Sequence, residues 1–228
     1  MDSHSGRIPP TPPEIWQAPP KGRVLVLAPH PDDEILGCGG MIALHRDQGD
    51  PIKILFLTDG SAGDPAGYYP ADQYVAIRRA EARQACAVLG VTDLLFWDLP
   101  DGKLTTVSDL ADRLLDAVRS FDPDTLYYPS GQELHPDHWA AGVAIEDLHR
   151  DGLLAAPAYA YEVWTAIQPT HVIDIASGLV RKESAMAHYP SQLRYNDYRP
   201  KILGLNAYRS LFLPPGQARH AEAFRRLA

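Results

Sequence analysis

The sequence predicts an α/β fold: a Rossmann-like, doubly wound and mainly parallel sheet with helices on both faces. Three observations predict it. Short, continuous apolar runs such as Val24-Leu25-Val26-Leu27-Ala28 have the composition of strands buried on both faces, as central parallel strands are. Segments with apolar residues at helical spacing alternate with those runs, the pattern of repeated β-α-β connections. Polar clusters follow the strands directly, at His30 to Glu34, at Asp59 and at His135 to His138, where an open α/β sheet binds its ligands.

Residues 1–22 read as a proline-rich arm, with six prolines between positions 8 and 20, and residues 23–228 as a single domain. The arm is expected to be extended, laid on the surface or left loose. The first strand runs from Arg23 to Ala28 and ends at Pro29. Asp33 and Glu34 open a helix that finishes near Gly49, acidic residues being favourable at its start. A second strand covers Ile52 to Thr58 and ends at Asp59-Gly60. Residues 60–72, with three glycines and two prolines, read as a long functional loop. Val75, Ile77, Ala80, Ala85 and Val88 mark a helix from Gln73 to Leu89, closed by Gly90. A third strand at Leu94 to Trp97, a helix from Val107 to Phe121 and a fourth strand at Thr125 to Tyr128 follow. His138 to His149 is helical, then come strands at Ala158–Val163 and His171–Ile175 and a helix over 177–189. His45 and His149 are expected on exposed helix faces, and Arg225 and Arg226 at a solvated helix end.

Composition narrows the function. A net charge of −8 argues against a general nucleic-acid surface, which needs a basic stripe to neutralise phosphates. No run of 18 apolar residues occurs, so no membrane partner is expected. The N-terminus has no basic region leading into an apolar stretch, and Cys38 and Cys86 form no CxxC pair. Both points indicate a cytoplasmic protein without a thiolate metal site, with Cys38 a packed residue. A homo-oligomer is compatible with this composition.

The chemistry lies in the strand-end clusters. In a doubly wound sheet of order 3-2-1-4-5 the first and fourth strands are neighbours at the switch point, so His30 to Glu34 and His135 to His138 converge on one crevice. Two imidazoles and a carboxylate make a zinc site with a position left for water. His30 and Asp33, three residues apart in a turn, can face one point, and His138 would complete the set from across the crevice. Asp32 is the spare carboxylate that could take a proton from water, and His135 could donate to a developing oxyanion. Each half has a plainer reading: Asp33 and Glu34 as a helix start, the histidines as a polar one. Paired aspartates after a strand also suit a magnesium-dependent phosphoryl-accepting domain, although flanking histidines favour zinc or another borderline metal. A non-catalytic protein that keeps the pocket for metal or sugar binding is the remaining class.

With Ala28-Pro29-His30-Pro31-Asp32-Asp33-Glu34 and an intact His135-Pro136-Asp137-His138, the chain resembles the PIG-L / LmbE-like zinc N-deacetylases. Pro29 stands where many members place alanine directly before the histidine. Gly37 through Gly40, Thr58-Asp59-Gly60, Ile77-Arg78-Arg79-Ala80-Glu81, and Lys182 through Met186 with His188 and Ser191-Gln192 resemble the family too. The resemblance implies Zn2+ (or Fe2+ or another divalent metal) on His30, Asp33 and His138, with Asp32 as general base and His135 as oxyanion stabiliser. It implies removal of an N-acetyl group from an amino sugar of the N-acetylglucosamine type, a small-molecule substrate. Arg78 matches an arginine that meets the sugar, with a surface salt bridge to Glu81 as the alternative. Asp59 holds a sugar hydroxyl or ends the strand, and His188 and Gln192 close the pocket or form a turn. Another N-acyl substrate, such as a thiol conjugate, would be chosen by loop 60–72 and residues 193–228. Tyr68, Tyr69, Arg194, Tyr195, Tyr198 and Arg199 there could equally bind a partner subunit.

Overall fold

A computed structural model of the chain describes residues 11–216 and 219–227. In chain order the elements are β1 (Glu14–Trp16), β2 (Val24–Ala28), α1 (Asp33–Asp47), β3 (Ile52–Thr58), α2 (Ala71–Val88), β4 (Asp93–Leu99), α3 (Leu110–Phe121) and β5 (Thr125–Pro129). They continue with α4 (Pro136–Arg150), β6 (Ala158–Tyr161), β7 (His171–Asp174), α5 (Leu179–Met186), α6 (Pro190–Leu193), α7 (Arg199–Arg209) and β8 (Ala221–Arg226). No helix among the described residues is long and apolar enough to cross a membrane.

The eight strands form one sheet of order β1-β7-β8-β6-β5-β2-β3-β4. Its part from β4 to β6 is parallel and follows the expected doubly wound order. Every residue of β2 and β5 is buried, because both faces of these strands are covered. Val24, Val26 and Ala28 pack with α1, α2 and α5 residues such as Met41, Cys86 and Met186. Leu25 and Leu27 turn the other way, onto Leu114, Leu115 and Ile145 of α3 and α4. Each such side chain contributes roughly 1.5–3 kcal/mol on burial, which places the core on both sides of β2.

Two sequence expectations change at the far edge. Arg225 and Arg226 end not a helix but β8, which lies antiparallel between β6 and β7; the run Ala221-Glu222-Ala223-Phe224 is short and its one buried charge hides the strand pattern. Glu14–Trp16 of the proline-rich arm pairs in parallel with β7, and the Trp16 ring meets Tyr159 at 4.9 Å and His171 at 4.5 Å. That part of the arm is a sheet edge held by aromatic packing; residues 1–10 lie outside the described region.

His45 is also corrected. It is fully buried: its Nδ1 lies 2.7 Å from Asp50 Oδ2 and its Nε2 3.0 Å from the Tyr127 hydroxyl. The last turn of α1 still faces the sheet, and the chain folds back so that Asp50 meets the ring. His149 is half-buried rather than exposed. Tyr127 and Tyr128 both belong to the core, and Cys38 and Cys86 are free and buried.

α1 is broken at Cys38 (φ −141°, ψ 25°). A break leaves carbonyls and amides without helical partners. Lys182 Nζ donates to the Leu36 carbonyl at 3.0 Å, while Glu222 accepts from Gly40 N at 2.8 Å and Met41 N at 2.7 Å. Lys182 and Glu222 pair with each other at 2.6 Å, both fully buried. The first half of α1, which carries Asp33 and Glu34, is thereby set as a short rigid piece at the end of β2.

Candidate active site

β2 and β5 are adjacent, so the turn after β2 and the loop after β5 meet over the carboxyl ends of the sheet. His30 Nδ1 lies 3.1 Å from Asp33 Oδ2 and 3.2 Å from His138 Nε2, and His138 Nε2 lies 3.1 Å from the same Asp33 oxygen. Three ligand atoms thus form a nearly equilateral triangle. Ligand atoms around tetrahedral zinc, with bonds of about 2.1 Å, stand roughly 3.4 Å apart. The arrangement therefore fits a divalent cation. The Asp33 carboxyl is held well below the usual carboxylate range: burial opposes this, but His138 and His30 outweigh it.

The other face of His30 explains its orientation. Nε2 lies 3.0 Å from Asp101 Oδ1 and 3.2 Å from Asp137 Oδ2. A proton on Nε2, shared with these carboxylates, leaves the Nδ1 lone pair for the triangle, as carboxylate–histidine–metal chains do. Burial disfavours charge on this ring, yet the hydrogen bonds to Asp101, Asp137 and Asp33 raise its pKa well above the ordinary value. The cluster is short of positive charge, which a cation would supply. His30 with Asp101 and Asp137, and His30 with His135 and His138, also bring candidate ligand atoms within 4.8 Å. The triangle with Asp33 has all three edges within 3.2 Å and leaves Nε2 to its carboxylates.

His135 caps α4 with its side chain: Nδ1 accepts the Asp137 amide at 3.2 Å. Burial, with His30 and His138 adding to it, lowers its pKa. A neutral ring accepting at Nδ1 carries its proton on Nε2, so His135 is a donor by construction. Asp137 in turn accepts from Gly102 N at 2.6 Å and Leu104 N at 2.9 Å, tying the loop after β4 to the site.

Asp32 sits at φ 153°, in the region that favours glycine. Such a backbone costs on the order of 1–3 kcal/mol and persists where the surroundings enforce it. Its carboxylate lies 3.3 Å from Arg78 Nη2, which also donates to the Pro31 carbonyl at 2.5 Å. Burial pushes the Asp32 carboxyl up to about 7; Arg78 opposes the rise and Asp33 adds to it. Arg78 is therefore no surface residue, and Glu81 turns instead to Ser191, whose amide and hydroxyl it accepts at 2.8 and 2.5 Å.

A cavity of about 240 Å³ opens here, lined by His30, Asp32, Asp33, Arg78, Asp101, His135 and Gln192, with Gly63, Trp164 and Tyr198 among the other walls. Loop 60–72 is fastened over one side. Asp64 accepts from Tyr68 N at 3.0 Å, Tyr69 N at 2.9 Å and the Tyr195 hydroxyl, and Arg194 lies over the Tyr68 ring at 3.9 Å. Tyr68 of the loop thus packs on Arg194 and Tyr195, whereas Tyr198 meets Trp164 and Arg199 pairs with Asp197.

Of the expected residues, His30, Asp32, Asp33, Arg78, His135, His138 and Gln192 come together. Asp59 and His188 do not line the cavity. Asp59 instead accepts the amides of Ser61 at 3.0 Å and Asp101 at 3.3 Å, shaping two loops. His188 is displaced because its neighbour Tyr189 is the residue turned inward, onto Glu34. Asp101 was missed; its signal was a Pro-Asp-Gly turn directly after a strand. Asp137 stood inside a recognised motif without a role, Tyr198 was singled out only as one of several aromatics that choose the substrate or bind a partner, and Trp164 had no local signal.

The PIG-L model, described as GlcNAc-PI de-N-acetylase, matches residues 25–149, more than half of the chain. The chain belongs to the PIG-L family. It is 30% identical over 180 residues to the "Probable N-acetyl-alpha-D-glucosaminyl L-malate deacetylase 2" of Bacillus anthracis, covering 72% of this chain and 79% of that one. It is 26% identical over 204 residues to the 4-oxalmesaconate hydratase of Pseudomonas putida, covering 80% and 79%. The N,N'-diacetylchitobiose deacetylase of Pyrococcus horikoshii superposes with a TM-score of 0.78 at 22% identity, over 90% of this chain and 83% of that one, and so shares the fold. The PIG-L match includes both histidine motifs and Arg78 but stops before Trp164, Gln192 and Tyr198. Eight of the eleven residues that line the cavity thus lie in the matched region, and Trp164, Gln192 and Tyr198 are supplied by the segment beyond it.

Proposed function

We propose that the protein is a metal-dependent N-deacetylase that removes acetate from an amino-sugar conjugate of the N-acetylglucosamine type. The triangle of His30 Nδ1, Asp33 Oδ2 and His138 Nε2, with a spare carboxylate and a fixed donor beside it in one cavity, carries this reading. Relatives named as deacetylases of N-acetylglucosaminyl compounds support the substrate class. His30, Asp33 and His138 would hold the cation, zinc by the two imidazoles and single carboxylate, with Fe2+ also compatible. Bound there, it would lower the pKa of water towards about 7 and polarise the amide carbonyl.

The chain's own residues do the rest. Asp32 accepts the proton of the attacking water and returns it to the leaving nitrogen. The His135 Nε2 proton is offered to the oxygen that gains charge, a contact worth about 3–4 kcal/mol in comparable sites. Arg78 keeps Asp32 in place, Asp101 presents an acceptor to sugar hydroxyls, and Gln192, whose amide donates to the Tyr74 hydroxyl at 2.6 Å, closes the cavity wall. A cavity of about 240 Å³ suits one sugar ring, with the rest of a conjugate outside. Asp59 and His188 are assigned no direct contact. A cytoplasmic setting belongs to the same proposal and is supported by the free, buried Cys38 and Cys86.

Purified protein should release acetate and an equal amount of primary amine from a panel of N-acetylglucosamine conjugates. Complete chelation should lower the rate at least about 100-fold and added zinc should restore it. Undiminished activity after the metal is gone sinks the proposal. A second reading, addition of water to a carbon–carbon double bond, has the likeness to a hydratase behind it. Loss of alkene absorbance in an unsaturated dicarboxylate, with no acetate from any sugar, would favour that reading.

A further inference from the structure

We propose that Glu34 is the positioning residue of the base, holding the strained backbone of Asp32 so that its carboxylate faces the cavity. The inference rests on the reading of Asp32 as the base and concerns how that base is aimed. The Asp32 amide donates to Glu34 Oε2 at 3.1 Å. Glu34 is fully buried and is itself anchored on its other oxygen, by the Tyr189 hydroxyl and by Cys86 Sγ at 3.6 Å. Tyr189, also buried, comes from the turn between α5 and α6, so the hold reaches Asp32 from another part of the fold.

The geometry is akin to one half of a capping box, with the acid two residues after the N-cap instead of three. In the full motif the N-cap side chain bonds an amide of the first turn, while an acid in that turn bonds the N-cap amide. Here Asp32 is the N-cap of α1 and makes no side-chain cap bond. Its carboxylate is turned to Arg78 and the cavity instead. Glu34 keeps its half of the exchange, and that bond fixes the amide of Asp32 at φ 153° while Arg78 holds the carboxylate. A surface cap would do this with a solvated acid. A fully buried acid with three fixed partners carries a desolvation cost that simple capping does not justify. Precise aim of the neighbouring carboxylate accounts for it.

Two substitutions separate positioning from structure. Glu34→Gln keeps an acceptor for the Asp32 amide and can offer its Nε2 to the Tyr189 oxygen. Glu34→Met fills the space with no acceptor. In the metal-loaded enzyme, Glu34→Met should lower kcat at least about 100-fold with KM within about threefold and metal stoichiometry unchanged, whereas Glu34→Gln should stay within about tenfold of the parent. In an Asp32→Ala background, Glu34→Met should cost nothing further, since its effect runs through the missing carboxylate. Hydrogen exchange of the Asp32 amide should be slow in the parent and in Glu34→Gln, and fast in Glu34→Met. If Glu34→Met does not fold, Tyr189→Phe removes one anchor and should lower kcat with KM unchanged. Equal impairment by Gln and Met, additivity with Asp32→Ala, loss of metal, or a protected Asp32 amide in Glu34→Met would each overturn the inference. A parent enzyme inactive on every N-acetyl sugar would overturn the deacetylase reading instead, while the amide exchange still reports on the hold.

Discussion

Gly63 shows how much a single residue decides in this cavity. A Cβ built there would stand 2.5 Å from Arg78 Nη1 and 2.9 Å from both Gln192 Nε2 and the Tyr74 hydroxyl. Three polar groups converge on the space that glycine leaves, and Arg78 is the one that holds Asp32. Gly63→Ala should force the guanidinium aside and lower kcat/KM by roughly tenfold or more, about 1.4 kcal/mol of transition-state stabilisation. Unfolding free energy should fall by about 1–3 kcal/mol, the cost of overpacking, because the methyl crowds buried side chains. Equal kcat/KM in the alanine variant would show that the guanidinium has room to shift. Gly63 itself was invisible in the sequence, where it reads as one of several loop glycines. His30, Asp33 and His138 were legible because metal chemistry restricts ligand types and the turn restricts their spacing. Asp101 was not, since a lone aspartate in a turn has too many ordinary uses.

At the scale of elements, α1 departs most from what periodicity suggests. Its sequence reads as one helix, and the break at Cys38 arises from partners more than a hundred residues away. Such a break cannot be read locally, because Lys182 and Glu222 carry no mark of their destination. The pair lies wholly out of water, so removing one member strands the other. Lys182→Met should destabilise the protein by about 3–5 kcal/mol in denaturant titrations, the usual cost of an uncompensated buried charge. Adding Glu222→Gln should recover part of that, since the amide oxygen can still accept from Gly40 or Met41. A double variant as unstable as the single one would assign the loss to packing rather than charge. The same limit explains β8: four buried residues with one glutamate look like no strand until Glu222 is seen plugging the break in α1.

Across the whole molecule, the doubly wound order is what turns two distant motifs into one site, and that order was legible because strands and helices alternate strictly from β2 to β6. The return of the chain through β7 and β8, and the docking of β1, follow from long-range pairing that no local pattern encodes. Asp50 belongs to this global wiring: it meets His45 from α1, accepts the Gly22 amide at 3.2 Å and binds Gln48 at 3.1 Å, which in turn reaches the Pro19 carbonyl at 3.3 Å. The arm, α1 and Tyr127 of β5 are joined through one imidazole. Burial lowers the His45 pKa below 6.5, although Asp50 pulls the other way. The ring is thus neutral when folded, Nδ1–H donating to Asp50 and Nε2 accepting from Tyr127. In the unfolded chain it binds a proton below about 6.5. Between that value and the lower folded one the unfolded state holds more protons, so stability must fall as pH falls through this window. Urea unfolding of metal-free protein at pH 7.5 and 5.5 measures the loss without the pH dependence of cation binding. His45→Gln cannot titrate; it should be less stable than the parent at pH 7.5 but lose less between the two pH values. A loss equal to the parent's would mean that His45 is already protonated in the fold and that the network carries an ion pair.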